Sequence, residues 1–254
     1  MKKYVLLGLV GMLGYVSSCW GESLTVGYVD APPLMMETEE ENHPTGIAVE
    51  YLLLILQDVG ITDIRFKKLP VSRLLEYLEE GKIDAAAMLM DNPKRRMIFA
   101  LPERPYFSEQ QYLAVLTDHP LRNITRTEDL LSLQIGVFQG GFLAPTLQDS
   151  RLRLEPLSGG EVVLRNLKKL LAGRLDAVYC PGQTELEYWI KTLQISSQVR
   201  LVLLPDEPIE VYPMFSKQSA TRHLSQFNAS AERIQRQMPP GTFKTEYFQK
   251  LFRE

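Results

Sequence analysis

The chain has 254 residues, enough for one large domain or two small ones, and its 28 Lys and Arg against 31 Asp and Glu give a formal net charge of -3. This slight acidity argues against a nucleic-acid binder, whose surface carries a basic excess, and a hydrophobic content of 45% excludes wholesale disorder. Two Cys and three scattered His exclude a disulfide scaffold and a zinc site of ordinary spacing.

Residues 1–19 have the layout of a secretory signal peptide. Lys2 and Lys3 precede an apolar run, Tyr4 to Val16, which is shorter than the roughly 20 residues that span a bilayer. Polar sequence begins at Glu22, directly after the run, and this favours a cleaved signal over a permanent membrane anchor. We therefore expect export across the inner membrane and a soluble mature body in the periplasm, since no second long apolar segment follows.

The two cysteines have different expected roles. Val16-Ser17-Ser18-Cys19 resembles the bacterial lipobox, in which the Cys becomes the lipidated first residue of the mature protein. Trp20 is unusual after such a Cys, so lipidation of Cys19 and plain cleavage both stay open. Cys180 ends an apolar run, where a Cys is more often a small buried hydrophobe than a nucleophile.

Strands and helices are predicted to alternate from residue 23 onward. Short apolar runs rich in β-forming residues indicate strands, and apolar residues at helical spacing that end at a glycine indicate helices. In the first half these are a strand Leu24 to Tyr28, a helix Ile47 to Val59, a strand Ile64 to Lys67, a helix from Pro70 to Gly81 and a strand Ile83 to Met90. Strands separated by helices of this length predict βαβ units and a largely parallel sheet.

The second half repeats this pattern. It contains a strand Gln134 to Phe138, a helix Val162 to Leu171, strands Leu175 to Cys180 and Tyr212 to Lys217, and two C-terminal helical stretches around Leu224 to Ile234 and Phe243 to Phe252. A literal signature occurs twice, as Leu78-x-x-Gly81-Lys82-Ile83-Asp84-Ala85 and Leu170-x-x-Gly173-Arg174-Leu175-Asp176-Ala177. It indicates a helix, a glycine in the left-handed region and an immediate return strand.

The repeat favours two similar α/β lobes over one continuous sheet. We expect residues 23–110 to form the first part of lobe 1, residues 111–204 to form lobe 2, and residues 205–254 to return to lobe 1 and end in helices. Two short β runs, Leu113 to Leu116 and Leu201 to Leu204, are the candidates for the crossings between lobes, and so for the hinge.

The order of these pieces resembles the bacterial extracellular solute-binding proteins of family 3, the receptors of polar amino-acid uptake systems. The resemblance covers about residues 23 to 253 and rests on an ordered set of short motifs. These are Leu24-Thr25-Val26-Gly27-Tyr28 with Pro32-Pro33, Gly46-Ile47-Ala48-Val49-Glu50, Gly81-Lys82-Ile83-Asp84-Ala85 followed by Asn92-Pro93-Lys94-Arg95, Pro105-Tyr106-Phe107, and Ile135-Gly136-Val137 with Gly140-Gly141.

The resemblance implies a two-lobed periplasmic binding protein-like fold of type II, α/β in class. Its ligand cleft lies between lobes joined by two hinge strands, and the lobes close on the ligand. It also implies a small-molecule solute, no cofactor, an inner-membrane ABC permease as partner and a monomeric state. Contact with the membrane would come only through the signal peptide or a lipid anchor.

The resemblance also assigns candidate ligand-binding residues in the first lobe. Arg95 matches the arginine that pairs with the ligand's α-carboxylate, and its guanidinium suits two parallel hydrogen bonds to such a group. Arg96 is the alternative if the register is off by one, and a solvated loop arginine is the plain alternative for both. Asp30, Arg73, Asp91 and Asn92 are further candidates, set against ordinary roles in turns, on a helix surface or in loops.

In the second lobe, Gln139, Gly140, Gly141 and Phe142 are expected to open a helix whose free N–H groups suit a carboxylate. Tyr179 is a candidate for stacking or a hydroxyl contact, with a core tyrosine as the alternative. Amino-acid receptors of the family carry an Asp for the ligand's ammonium where this chain has Pro181. Gln183 and Glu185 are substitutes, but neither is in register, and this puts α-amino-acid specificity in doubt.

The leading hypothesis is non-enzymatic capture of a small polar, carboxylate-bearing solute for ABC-type uptake, with Arg95 anchoring the carboxylate. The alternatives are an enzyme on the same scaffold, similar to cyclohexadienyl dehydratases and using Asp30 or Asp91 as acid or base, and a sensory or partner-binding protein without transport. The sequence has no nucleophile elbow, phosphate loop or metal cluster, and this favours binding over catalysis.

Overall fold

The computed structural model describes residues 23–38 and 43–253. The predicted signal peptide and Cys19 lie outside the described residues. Within them the strands are Leu24–Tyr28 (β1), Ile64–Lys68 (β2), Ala85–Met90 (β3), Phe107–Glu109 (β4), Tyr112–Leu116 (β5), Gln134–Phe138 (β6), Arg153–Leu157 (β7), Ala177–Cys180 (β8), Val199–Leu203 (β9) and Ile209–Phe215 (β10). The helices are Ile47–Val59 (α1), Val71–Glu79 (α2), Pro93–Ile98 (α3), Val162–Leu171 (α4), Gln183–Thr192 (α5), Lys217–Gln237 (α6) and Pro240–Lys250 (α7).

Two five-stranded sheets with the same plan organise these elements. The first has the order β2-β1-β3-β10-β4, and the second has the order β7-β6-β8-β5-β9. In each sheet the first three strands run parallel and the last two pair antiparallel. The predicted α/β fold with two lobes is therefore confirmed, one lobe built on each sheet. Among helices of the described residues, none is long and apolar enough to cross a bilayer.

The repeated sequence signature performs the same structural task in both lobes. Gly81 and Gly173 have φ of +69° and +67°, which a residue without a Cβ adopts without strain. In the first lobe, Asp84 Oδ2 accepts a hydrogen bond from the Thr25 N–H at 2.9 Å. In the second, Asp176 Oδ2 accepts one from the Gln134 N–H at 2.7 Å. The signature thus ends a helix and fixes the start of the central strand against its parallel neighbour.

Burial follows the expected pattern for strands covered on both faces. The β3 sequence Ala-Ala-Ala-Met-Leu-Met is almost wholly buried, and the four residues of β8 are all buried. Helix α1 contributes Ile47, Leu52, Ile55 and Leu56 to the core of the first lobe, and Gly60 ends it with φ of +91°. Small residues in β3 let helices approach the sheet closely, so the strand ends are held in fixed positions.

The chain crosses between the lobes twice, between β4 and β5 and between β9 and β10. The crossings lie side by side, because the Leu204 N–H donates to the Gln111 carbonyl at 2.9 Å and Gln111 Nε2 donates to the Glu207 carbonyl at 3.2 Å. The two segments predicted to cross between the lobes, Leu113–Leu116 and Leu201–Leu204, lie almost wholly inside the second lobe. They pair with one another as β5 and β9 inside the second sheet, and the crossing residues lie just before β5 and just after β9.

Two further predicted boundaries are wrong by a few residues for a local reason. The strand expected over Tyr212 to Lys217 is Ile209–Phe215, because the Ser216 hydroxyl accepts from the Ser219 N–H at 3.1 Å and so begins α6. The last helix ends at Lys250. It also reaches the other lobe: Lys191 Nζ of α5 lies 4.6 Å from the centroid of the Phe248 ring, and just after the helix the rings of Phe252 and Tyr188 are 5.9 Å apart.

Candidate functional site

The cleft between the two sheets contains three adjoining chambers. The deep chamber, of about 100 Å³, lies between the strand ends and is lined by Asp30, Met88, Arg95, Phe142 and Glu185, among others. The loop chamber, of about 520 Å³, lies between residues 68–72 and 158–160. The helix chamber, of about 810 Å³, lies between α2, α3 and residues 140–143. Shared walls at Asp30, Arg95, Gly141 and Phe142 make them parts of one cleft.

The topology explains why functional groups meet here. Strands β1, β3, β6 and β8 belong to parallel pairs, and the residues just after each strand line the cleft. Those residues are Asp30 after β1, Asp91 after β3, Gln139 after β6 and Pro181 after β8. Ligands of open α/β sheets bind in the crevice at the carboxyl ends of the strands, so the cleft is the place to look for a binding site.

Arg95 is a buried cation with no carboxylate partner in the part of the chain that the structure describes. Arg95 is only 8% exposed, and its Nη1 donates a hydrogen bond to the Met90 carbonyl at 2.6 Å. No described carboxylate forms an ion pair with it, although Asp91 attracts it at longer range. Burial lowers the pKa of Arg95, but a guanidinium stays protonated at neutral pH. A buried charge without a partner is costly, and an anion supplied from outside would remove that cost.

Helix α3 positions this arginine. Asn92 caps the helix, its Oδ1 accepting from the Arg95 N–H at 2.8 Å, and Pro93 occupies the first helical position. Asn92 therefore lines the cleft but also has a structural task. Because the cap bonds the backbone of Arg95 itself, the orientation of the guanidinium depends on it.

Asp91 and Arg96 form a pair of their own on the hinge side of the cleft. Arg96 Nε donates to Asp91 Oδ2 at 2.7 Å, and Nη2 bonds the same oxygen. This hydrogen bond, ahead of other causes, raises the pKa of Arg96. Both residues line a hinge-side space of about 910 Å³, outside the three chambers defined above. Arg96 is mostly exposed, so Arg95 and not Arg96 is the arginine that reaches the deep chamber.

Asp30 lines the deep and loop chambers and already has a cation nearby. Lys68 Nζ lies 3.3 Å from Asp30 Oδ2 and 2.6 Å from Glu37 Oε2, and the bond to Glu37 is the main cause that raises the pKa of Lys68. Asp30 also faces the other lobe: a Cβ placed on Gly160 would lie 3.9 Å from its Oδ2. Asp30 is therefore a residue at which the two lobes approach each other.

The predicted helix at Gln139–Phe142 does not form, and this expectation is wrong. The Gly141 N–H donates to the Phe138 carbonyl at 3.1 Å in a tight turn, with φ of +74° at Gly140, and the next helical turn is a short 3₁₀ segment, Pro145–Leu147. The turn still lies in the cleft: Gln139 lines the loop chamber, and Gly140, Gly141 and Phe142 line the chambers beside it. The turn therefore contributes the Phe142 ring and backbone groups to the cleft, and it does not contribute a helix N-terminus.

Tyr179 and Arg73 have mainly structural surroundings. The Tyr179 hydroxyl donates to Gln111 Oε1 at 2.9 Å and accepts from the Ala144 N–H at 3.1 Å, and burial raises its pKa. Its ring lines the deep chamber while its hydroxyl is engaged in the core. Arg73 lines none of the chambers described above. It is half exposed, lies 3.6 Å from Glu76 and stands over the Tyr77 ring.

Glu185 is the cleft residue that sequence reasoning undervalued. It lies in the first turn of α5 and lines the deep chamber together with Pro181. Its Oε2 is 3.5 Å from Cys180 Sγ, a weak donor, and no described Lys or Arg pairs with it. Burial, assisted by the negative charge of Asp30, raises the pKa of Glu185 to about 7. One feature of the sequence indicates its position: Glu185 follows the strand β8 by five residues, in the first turn of the next helix. The first turn of such a helix lies over the end of the strand, so a residue there can line the cleft without matching the position of the family's Asp.

Within residues 23–38 and 43–253, the deep chamber thus combines one cation and one carboxylate that lack ion-pair partners, on an apolar wall. Arg95 comes from the first lobe and Glu185 from the second. Such a site can hold a small molecule that carries a negative and a positive group, and the ligand would join the two lobes. Among the described residues, no group of three or more His, Cys, Asp or Glu is arranged to hold a metal ion.

The family described as bacterial extracellular solute-binding proteins, family 3, matches residues 24–250. No curated protein sequence matches the chain. Solved structures do resemble it in fold. One is an amino acid ABC transporter substrate-binding protein from Streptococcus pneumoniae bound to L-arginine, with a TM-score of 0.75, 14% identity, and coverage of 91% of this chain and 97% of that one.

Two other structures extend the likeness. The GluR0 ligand-binding core from Nostoc punctiforme in complex with L-glutamate has a TM-score of 0.73, 17% identity, and coverage of 90% and 99%. The BvgS periplasmic domain of B. pertussis has a TM-score of 0.73 and 18% identity over 89% of this chain, which spans 43% of that longer one. At these identities the likeness concerns the fold alone.

Proposed function

Because the chain belongs to the bacterial extracellular solute-binding proteins of family 3, we propose that its cleft captures a small solute bearing a carboxylate and an amino group. The observation that carries this proposal is the nearly buried Arg95, which has no carboxylate partner among the described residues. The ligand's carboxylate would supply the missing partner through charge-assisted hydrogen bonds.

Glu185 would hold the amino group. It lines the same chamber as Arg95, lacks a cationic partner among the described residues and comes from the opposite lobe. Asp30 is less suited to this role, because Lys68 already lies 3.3 Å from it. Binding would therefore couple the lobes: the carboxylate fixes the ligand to the first lobe, the amino group attracts the second, and the crossings at Gln111 and Leu204 bend.

The ligand would then be delivered for uptake. A soluble receptor that closes on its ligand can present the closed form to an inner-membrane ABC permease. The signal-like segment at residues 1–19 supports a periplasmic location, with or without lipidation of Cys19. Asp30, Asn92, Gln139, Gly140, Gly141, Phe142 and Tyr179 would complete the wall of the site.

The test is ligand-induced thermal stabilisation measured on a panel of amino acids and organic acids. A ligand at one hundred times its Kd stabilises a protein by about 2.7 kcal/mol. Arg95→Ala should remove most of this stabilisation and leave the unliganded protein folded. Arg73→Ala is the matched control, since Arg73 lies outside the cleft and should change nothing. Normal stabilisation of Arg95→Ala would show that the site is assigned wrongly.

A second candidate, catalysis on the same scaffold, is favoured by one observation. Glu185 lies in the cleft with a pKa raised to about 7, which suits a general acid near neutral pH. Asp91, in contrast, is occupied by Arg96. Mass spectrometry of the solute after incubation separates the two functions: an unchanged solute supports capture, and a dehydrated product supports a lyase.

A further inference from the structure

We infer that the solute held in this cleft carries an uncharged, apolar side group of about the size of a leucine or methionine side chain. The inference rests on the proposed function, in which the carboxylate and amino group of the ligand are bound by Arg95 and Glu185. It concerns the third part of the ligand, the part that distinguishes one amino acid from another.

The first argument is a count of charges in the deep chamber. Its charged lining residues are Asp30, Arg95 and Glu185. Arg95 and Glu185 are used by the ligand's carboxylate and amino group, and Lys68 lies within ion-pair distance of Asp30. Among the described residues that line this chamber, no charged group is left to pair with a charged side group, and burying a charge without a partner is strongly unfavourable.

The second argument is the chemistry of the remaining wall. Met35, Met88 and Met90 come from the first lobe, and Phe138, Phe142 and Val163 come from the second. Thioether side chains are polarisable and adapt to irregular apolar groups, and they make favourable contacts with aromatic rings. Both lobes thus present apolar atoms to the same small space, and closure would bury an apolar side group between them.

The third argument is size. The deep chamber measures about 100 Å³, whereas an apolar cavity of about 150 Å³ holds a benzene molecule. A branched or unbranched side group of four carbons or of similar size fits such a space, and an indole does not. Arg95 also lines the helix chamber, so the carboxylate can bind there while the side group occupies the deep chamber beside Glu185.

This specificity differs from that of the structural neighbours, whose bound ligands are L-arginine and L-glutamate. Those side groups carry a full charge. Among the described residues, the acids that line the helix chamber are Glu76 and Glu79, neither of which lines the deep chamber, and Arg73 already lies 3.6 Å from Glu76. A long cationic side chain would have to leave the deep chamber to reach them.

The experiment is isothermal titration of the purified protein with leucine, methionine, norvaline, lysine, arginine and glutamate at one pH. At least one of the first three should bind ten or more times as tightly as every charged amino acid. Tighter binding of arginine, lysine or glutamate that depends on Arg95 would overturn the inference and leave the proposed function intact. Failure of every amino acid and every organic acid to bind would overturn both.

A variant tests the same point from the protein side. Phe142 is half-buried in a turn and lines the deep chamber, so Phe142→Glu should place a carboxylate beside the side group. The ratio of lysine affinity to leucine affinity should rise at least tenfold. Leu203→Glu, at an exposed position in β9, is the control and should leave the ratio unchanged. An unchanged ratio in a folded Phe142→Glu protein would contradict the inference.

Discussion

At the scale of single residues, the role proposed for Glu185 predicts that ligand binding depends on pH. The pKa of this residue is raised to about 7, so in the empty cleft it loses its charge as the pH falls through neutrality. A protonated carboxyl attracts an ammonium group far less than a carboxylate does. Affinity for an amino-bearing solute should therefore fall about tenfold between pH 8 and pH 6, which titration at several pH values would measure.

Glu185 should also lower the free energy of unfolding of the protein without ligand. A carboxyl whose pKa is higher in the folded state than in the unfolded state lowers the free energy of unfolding as the pH rises from its ordinary value, 4.5, to about 7. At pH 8 this cost is at most about 3 kcal/mol. Glu185→Gln should therefore raise the Tm at pH 8 while it weakens binding, and Glu246→Gln, at an exposed site in α7, should do neither. A lower Tm for Glu185→Gln would contradict the assignment.

Arg95 and Glu185 show what the sequence alone can and cannot reveal at this scale. Arg95 could be singled out because the motif Asn92-Pro93-Lys94-Arg95 resembles a stretch of the family, and in the structure the same motif contains the helix cap that bonds the Arg95 N–H. Glu185 could not be placed, since its approach to the cleft depends on how α5 packs over the end of β8. The pairing of Asp30 with Lys68 was equally hidden, because those residues meet only after β1 and β2 pair.

At the scale of secondary structure elements, the repeated glycine–aspartate signature fixes the two central strands. Asp176 Oδ2 bonds the Gln134 N–H, while Asp84 has a second partner in Arg222. Asp176→Ala leaves a strand N–H without its acceptor and should lower the free energy of unfolding by about 1–3 kcal/mol in urea denaturation. Asp118→Ala, at an exposed position, is the matched control. Equal stability of the two variants would contradict this role.

The elements themselves were largely predictable, and the exceptions share a cause. Continuous apolar runs and glycine ends identified β3, β8, α1 and α4 to within a few residues. The failures, at Gln139–Phe142 and at the hinge, occur where a turn or a strand pairing decides the local conformation. A glycine pair after a strand suits both a helix start and a tight turn, and only the bond from Gly141 to Phe138 decides between them.

At the scale of the whole molecule, α7 connects the lobes behind the cleft. Lys244 pairs with Glu109, which is 2% exposed and lies at the end of β4, beside the first crossing. Thr184 of the second lobe donates to the same carboxylate oxygen at 3.1 Å. Near the end of the chain, Lys191 Nζ lies 4.6 Å from the centroid of the Phe248 ring. If the lobes close on a ligand as proposed, α5 must either carry α7 with it or slide against it.

Lys244→Met removes the cation that pairs with the buried carboxylate of Glu109, and it should lower the free energy of unfolding by about 2 kcal/mol. The loss should be smaller than for a fully buried pair, because Lys244 is partly exposed. Thermal denaturation would measure the loss. Lys250→Met lies on an exposed face of the same helix and should leave the Tm unchanged. A Tm for Lys244→Met equal to that of Lys250→Met would mean that the pair adds nothing.

The packing of α5 also gives the molecule an optical reporter. The sequence has two tryptophans, Trp20 directly after the signal-like segment and Trp189 in α5, four residues after Glu185. With Trp20→Phe, tryptophan emission would come from Trp189 alone, which is mostly buried and whose ring lies 5.0 Å from the Tyr188 ring. Its fluorescence spectrum would follow the second lobe as the cleft fills, without any attached dye.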